Sequence, residues 1–142
     1  MSVTMACEPQ RVYEFHHELQ GGTWHVSDTL EFAFDDRRGF PSMALVGLKY
    51  SDEYDYHNLY LRYIFSDSLG QVQFDSLINL SLFDPKTGKP LGGGFGKSYT
   101  KFDTLQVVFD TLTVPSKASL IHYMREESLD GVTSVGLKLL KE

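Results

Sequence analysis

The feature that most constrains this chain is the alternation of apolar and polar residues over the thirteen positions from Gln71 to Phe83, the clearest of several such runs. Val72, Phe74, Ser76, Ile78, Leu80 and Leu82 fall on one side, against Gln71, Gln73, Asp75, Asn79 and Ser81 on the other. A repeat of two residues places one set on each face of a strand and cannot make a helical stripe. The same period recurs. Leu30, Phe32 and Phe34 oppose Thr29, Glu31, Ala33 and Asp35. Leu59, Leu61, Tyr63 and Phe65 oppose Tyr60, Arg62 and Ile64, and Val135, Leu137 and Leu139 oppose Ser134, Gly136 and Lys138. Weaker alternation covers 11–19, 42–50, 105–114 and 119–125.

Turn chemistry separates these runs. Asp35 to Pro41 breaks one strand from the next, and Asp67-Ser68-Leu69-Gly70 reads as a hairpin loop. In Asp84 to Pro90, proline fixes φ and Gly88 supplies a positive one. Leu129-Asp130-Gly131 is expected to close the last hairpin. About eight or more strands with little or no helix predict an all-β protein. The expected architecture is an antiparallel β-sandwich, jelly-roll-like in its double sheet. Leu30, Phe32, Phe34, Phe74, Ile78, Leu80, Leu137 and Leu139 are expected to face the core. With 142 residues the chain predicts one domain, residues 11–142, after a tail over residues 1–10.

Charge and motif exclude several functions. The formal net charge is −6 and the basic residues are scattered, so nucleic acid is not an expected partner. The run Leu91-Gly92-Gly93-Gly94-Phe95-Gly96-Lys97-Ser98 suggests a phosphate loop, but its spacing fails. The first glycine of that motif would fall at Leu91, and no helix start follows. These glycines are expected to permit a bulge or a close backbone crossing. His16 and His17 are adjacent on a strand and point to opposite faces, so they cannot share a metal. His25, His57 and His122 show no ligand spacing. The expectation is no metal, no cofactor and no catalytic residues. Trp24 is expected to anchor the core or an edge. Met124 is expected to fill the core and Arg125 to reach a carboxylate or carbonyl.

Two features remain. Ser51-Asp52-Glu53-Tyr54-Asp55-Tyr56 is an acidic, aromatic loop of the kind that binds Ca²⁺ or a sugar, though it lacks the twelve-residue EF-hand pattern, and Tyr50, Tyr54, Tyr56 and Tyr60 could form an interaction surface for a glycan or other ligand. Cys7 is the single cysteine, preceded by Ala6. A small residue before a cysteine at the start of the folded part is the pattern of a processed bacterial lipoprotein, in which the thiol carries lipid. A secretory signal needs an apolar core of about 7–15 residues. Met1 to Ala6 cannot hold one, so the lipid reading expects a signal segment encoded ahead of Met1.

Several segments then line up in order. They are Cys7, Arg11-Val12-Tyr13-Glu14-Phe15, Gly22-Thr23-Trp24-His25 and Glu31-Phe32-Ala33-Phe34-Asp35. Asn58-Leu59-Tyr60-Leu61-Arg62, Phe83-Asp84-Pro85-Lys86-Thr87-Gly88 and Gly92-Gly93-Gly94-Phe95-Gly96 follow, then Tyr123-Met124-Arg125, Leu129-Asp130-Gly131-Val132 and Val135-Gly136-Leu137. In this order and spacing the chain resembles the GldH family of gliding-motility lipoproteins of Bacteroidetes. The family usually has Gln where this chain has His122. The resemblance implies an outer-membrane lipoprotein anchored through Cys7 and belonging to the gliding machinery linked to type IX secretion. It implies partners among the envelope proteins of that apparatus and no catalysis. The short tether Glu8-Pro9-Gln10 lacks the acidic cluster that the surface-export signal of such lipoproteins resembles, which favours a periplasm-facing position.

Overall fold

The computed structural model of the chain describes residues 10–34, 41–108 and 115–141. Cys7 and the turn residues 35–40 lie outside the described residues. The described residues form ten strands: β1 (Gln10–Glu18), β2 (Thr23–His25), β3 (Leu30–Ala33), β4 (Met43–Ser51), β5 (Asn58–Ser66), β6 (Val72–Ser81), β7 (Ser98–Leu105), β8 (Lys117–His122), β9 (Ser128–Asp130) and β10 (Val132–Lys141). One 3-10 turn, Gln20–Gly22, separates β1 from β2. All pairing is antiparallel. One sheet runs β1-β10-β4-β7, a second β3-β8-β5-β6, and β2 pairs with β9 in a third, small sheet. The all-β sandwich expected from the alternation is the fold observed.

The core lies between the two large sheets, and the alternation explains who enters it. Val46, Leu48 and Tyr50 of β4 and Val135, Leu137 and Leu139 of β10 face Leu59, Leu61, Tyr63 and Phe65 of β5 and Leu120 of β8. Each full burial of such a side chain stabilises by about 1.5–3 kcal/mol. Aromatic pairs link the sheets along one side, with Tyr13 at 5.4 Å from Phe34 and Phe15 at 6.4 Å from Phe32. On the other side the Tyr63 hydroxyl donates to the Gln106 carbonyl and the Lys101 ammonium donates to the Ser81 carbonyl.

Connectivity departs from a hairpin-by-hairpin reading. Among the described residues, β5 and β6 are joined as a hairpin, while the other links between the large sheets pass from one to the other. The Asp67 turn is the hairpin loop its sequence predicts. Its carboxylate accepts from the Leu69 and Gln71 N–H groups, both at 2.9 Å. The Asp84 turn likewise closes on its own carboxylate, which accepts from the Lys86 N–H at 2.8 Å. Leu129-Asp130-Gly131 is a correction. It does not close a hairpin, because β9 pairs with β2 and β10 pairs with β1 and β4. Gly131 is instead the corner where the chain leaves the small sheet, donating to the Gly22 carbonyl and accepting from the Ser51 N–H.

Three strand expectations shift as well. β7 ends at Leu105, where the alternation had suggested a strand beginning, and 109–114 lie outside the described residues. As an edge strand β7 buries little, so its sequence carries a weak pattern. β8 ends at His122 rather than continuing to Arg125. On β6, Leu80 is buried, but Phe74 and Ile78 are half-buried, and so is Phe34 just past β3. Both are edge strands, where one flank of every side chain lacks a neighbour. A register shift at the Phe65–Ser66 end of the β5–β6 pair breaks the alternation there, and Val72 turns out to solvent.

Candidate functional site

The four tyrosines proposed as one interaction face do not share a surface. Tyr50 is 0% exposed and Tyr54 4%. Tyr50 is in phase with Ala44, Val46 and Leu48 on the inner face of β4. Its hydroxyl donates to the Leu82 carbonyl at 2.6 Å and accepts from the Gly92 N–H at 2.9 Å. The Tyr54 hydroxyl donates to the Asn58 carbonyl at 2.6 Å, and burial holds its pKa far above the ordinary value. These two are structural. Tyr56 and Tyr60 remain outside, at 38% and 44% exposure.

Around those two the structure assembles a different group. Tyr60 points outward from β5 because its neighbours Leu59 and Leu61 point in. Leu77 points outward from the adjacent edge strand β6 and is 51% exposed. After β8 the chain continues beside β5, with the Tyr123 N–H donating to the Tyr60 carbonyl at 2.7 Å. Met124 then folds back, its sulfur 3.3 Å from the Tyr60 backbone nitrogen. Tyr56, Tyr60, Leu77, Tyr123, Met124, Arg125 and Glu126 enclose an open groove of about 550 Å³. That volume lies in the range of about 300–1,000 Å³ usual for ligand sites.

Several polar groups in and beside this groove hold hydrogen-bond partners. The Tyr56 hydroxyl donates to the Glu126 carboxylate at 2.5 Å, and this bond to an acceptor raises the phenol's pKa. Next to the groove, Arg62 grips Asp75 with two bonds of 2.9 and 2.6 Å. The Arg62 guanidinium holds that carboxyl below its usual range. The Asn58 amide donates to the Asn79 carbonyl oxygen at 2.8 Å. Arg125 is the exception. It was expected to reach a carboxylate or carbonyl, and among the described residues it has no such partner.

Beneath the groove lies His122, 1% exposed. Its Nδ1 accepts from the Met124 N–H at 3.3 Å, and its ring stands edge-on to Trp24 at 5.4 Å. Burial holds the imidazole below its ordinary pKa, the Trp24 backbone pulling the other way, and Nε2 has no hydrogen-bond partner of good geometry. Trp24 itself is buried as expected, its indole N–H donating to the Asp28 carbonyl at 2.9 Å.

The remaining motifs settle into structural roles. Gly92 lies against β7, where a Cβ would stand 2.8 Å from the Thr100 carbonyl oxygen, so the glycine run does permit a close crossing. His16 meets the Glu14 carboxylate at 2.8 Å, while His17 meets the Glu31 carbonyl at 2.7 Å on the other face. Among the described residues no group of three or more His, Cys, Asp or Glu is placed to hold a metal ion. No helix among them is long and apolar enough to cross a membrane.

Tyr123 and Leu77 were not singled out from the sequence. Tyr123 is in phase with Ile121 and opposite Leu120 and His122, which was a usable signal. Leu77 interrupts the polar side of the longest alternating run, and an apolar residue on a polar face was the clue to an exposed patch.

Comparison with known proteins gives one substantial match. The family model described as GldH lipoprotein matches residues 11–139. No curated protein matches the chain. Among solved structures, a chain from "Structure of infectious bursal disease virus Gt strain" aligns at 12% identity and a TM-score of 0.19, covering 95% of this chain and 42% of that one. A likeness that slight carries no argument.

Proposed function

Since the chain belongs to the GldH lipoprotein family, we propose that it is a non-catalytic docking component of the gliding-motility machinery linked to type IX secretion, held to the outer membrane by lipid on Cys7. The observation that carries the docking role is the aromatic groove of Tyr56, Tyr60, Leu77, Tyr123 and Met124. Large apolar side chains gathered on one exposed sheet face cost solubility unless something covers them. Tyrosine, methionine and arginine are the residue types enriched in the cores of protein interfaces. The partner is an envelope protein of the same apparatus, and the domain faces the periplasm.

The anchor follows from additive physics. Each methylene buried in a bilayer contributes about 0.8 kcal/mol, one acyl chain binds only marginally, and two hold stably.

The experiment is done with the precursor in a gliding host that lacks its own copy. Wild type is expected to fractionate with outer membranes, to take up labelled palmitate and to restore colony spreading. Cys7→Ser is expected to do none of these. If Cys7→Ser still partitions with membranes and restores spreading, the anchored role is wrong.

A further inference from the structure

We propose that two copies of the chain pair edge to edge through β6, antiparallel about a two-fold axis, joining their β3-β8-β5-β6 sheets into one. This goes beyond the motility role and does not depend on it. It names a second copy as the occupant of a free sheet edge.

Edge strands β1, β7, β3 and β6 close the two large sheets among the described residues. Natural sheets guard such edges with charge, brevity or proline, because unpaired backbone invites another strand. β1 carries Arg11, Glu14 and Glu18, β7 carries Lys101 and Asp103, and β3 is four residues long. β6 has none of these guards. It runs ten residues without proline, and its one charge, Asp75, is held by Arg62 of β5 at 2.9 and 2.6 Å. The register shift of the β5–β6 pair lies at the Val72 end and leaves the rest of the strand regular.

The ladder fixes which backbone groups are free. The Leu82 N–H donates to the His57 carbonyl, in register with the β5–β6 pairs. Alternate pairs bond in an antiparallel ladder, so Phe74, Ser76, Ile78 and Leu80 turn their backbone to β5. Asp75, Leu77 and Asn79 turn theirs to the open edge. A two-fold axis at Leu77 sets Leu77 opposite Leu77 and Asp75 opposite Asn79, each pair exchanging both backbone bonds. Neighbouring registers are worse. An axis at Asp75 faces two carboxylates, and one at Ser76 sets Asp75 against Leu77. An axis at Ile78 needs the Ser81 carbonyl, which already accepts from the Lys101 ammonium. On the inner face the Leu77 register lays Phe74 beside Leu80 of the other copy and Ile78 beside Ser76. The half-buried Phe74 and Ile78 thus gain the flank that an edge denies them. Leu77, 51% exposed, is covered by its counterpart. Isologous pairing requires a strand to suit itself, and β6 does so without a like-charge contact. Tyr60 and Tyr123 lie one and two strands in from this edge, so the groove stays open to another protein.

The test uses the full 142-residue chain in reducing buffer. Sedimentation velocity from micromolar to near-millimolar protein is expected to show a reversible monomer–dimer equilibrium. Amide exchange read by NMR then locates the contact. As the dimer forms, the N–H groups of Asp75, Leu77 and Asn79 are expected to gain about tenfold protection or more. Those of Ser76 and Ile78, already bonded to β5, are expected to change little. Leu77→Pro removes an edge-facing N–H, a change that a free edge tolerates, and is expected to leave the chain folded and monomeric. Asn79→Asp sets a carboxylate opposite Asp75 of the other copy. It is expected to raise the dimer dissociation constant about tenfold, about 1.4 kcal/mol. Circular dichroism checks the fold of both, and Asn79→Asp decides the matter if Leu77→Pro unfolds. A chain that stays monomeric across the whole range overturns the proposal. A dimer whose Asp75, Leu77 and Asn79 amides gain no protection, or whose dissociation constant Asn79→Asp leaves unchanged, uses another face and overturns it too. Colony spreading is a separate readout: a monomeric chain that restores it leaves the motility role standing.

Discussion

Two buried polar side chains define how this domain responds to change at the residue scale. His122 is buried with one ring nitrogen accepting a backbone hydrogen bond and the other unpartnered. Burial depresses its pKa in the folded state. The unfolded chain therefore takes up a proton first as pH falls, at about 6.5, and the folded state loses stability from there down through its own lower pKa. Urea midpoints are expected to drop between pH 7.5 and 5.5, and to drop less in His122→Gln, whose amide does not titrate. Equal slopes for the two proteins would show that His122 is not the sensitive group. Tyr50 makes a different case. Its hydroxyl serves the Leu82 carbonyl and the Gly92 N–H at once. Tyr50→Phe keeps the ring and strands both, so a loss of about 1–3 kcal/mol is expected in urea melts. A loss under about 0.5 kcal/mol would mean that water replaces the hydroxyl.

Strand position sets the cost of a core truncation at the scale of the element. Phe65 is fully buried on β5, which has neighbours on both sides, and Phe65→Ala is expected to cost about 3–5 kcal/mol. Phe74 sits opposite it on edge strand β6, half-buried and stacked on Tyr63 at 5.7 Å. Phe74→Ala opens onto solvent and leaves a smaller cavity, so about 1–2 kcal/mol is expected. Similar losses for the two in denaturant melts would place β6 deeper than its edge position. The other sheet shows why sequence alternation understates burial. His16, Gly136, Gly47 and Phe102 are neighbours across β1, β10, β4 and β7. The rings of His16 and Phe102 lie over the two glycines and meet edge-on at 6.1 Å. Rings from the edge strands thus cover the outer backbone of the two central strands. A Cβ at Gly47 would stand 2.5 Å from the Phe102 ring.

One core spans both large sheets and reaches the small one through Trp24, so the whole molecule is expected to unfold as a unit. Trp24 is the single tryptophan and lies on β2, while most of the strand signal comes from the large sheets. Urea midpoints from Trp24 fluorescence and from far-UV circular dichroism are therefore expected to coincide. An earlier fluorescence transition would show the β2–β9 sheet opening alone. The circular dichroism spectrum itself is expected to be that of strands.

The sequence by itself determined the class of fold and most inward-facing residues, because a side chain's face on a strand follows from its odd or even position. Leu59, Leu61, Tyr63 and Phe65 could be assigned to the core from that rule alone, and the Asp67 turn from its own side-chain chemistry. By the same rule Tyr50 belonged inside with Leu48, and counting it among surface tyrosines ignored its phase. Tertiary structure alone decided the pairing. Ser128 to Asp130 became a partner of β2 rather than half of a terminal hairpin, because contacts across the small sheet satisfied its backbone. It also decided the groove. Tyr56, Leu77 and Tyr123 lie on three separate segments, and no local pattern links them. Only the order β8-β5-β6 brings Tyr123, just past the end of β8, beside Tyr60 on β5 and Leu77 on β6, with Arg125 left unpaired at the rim.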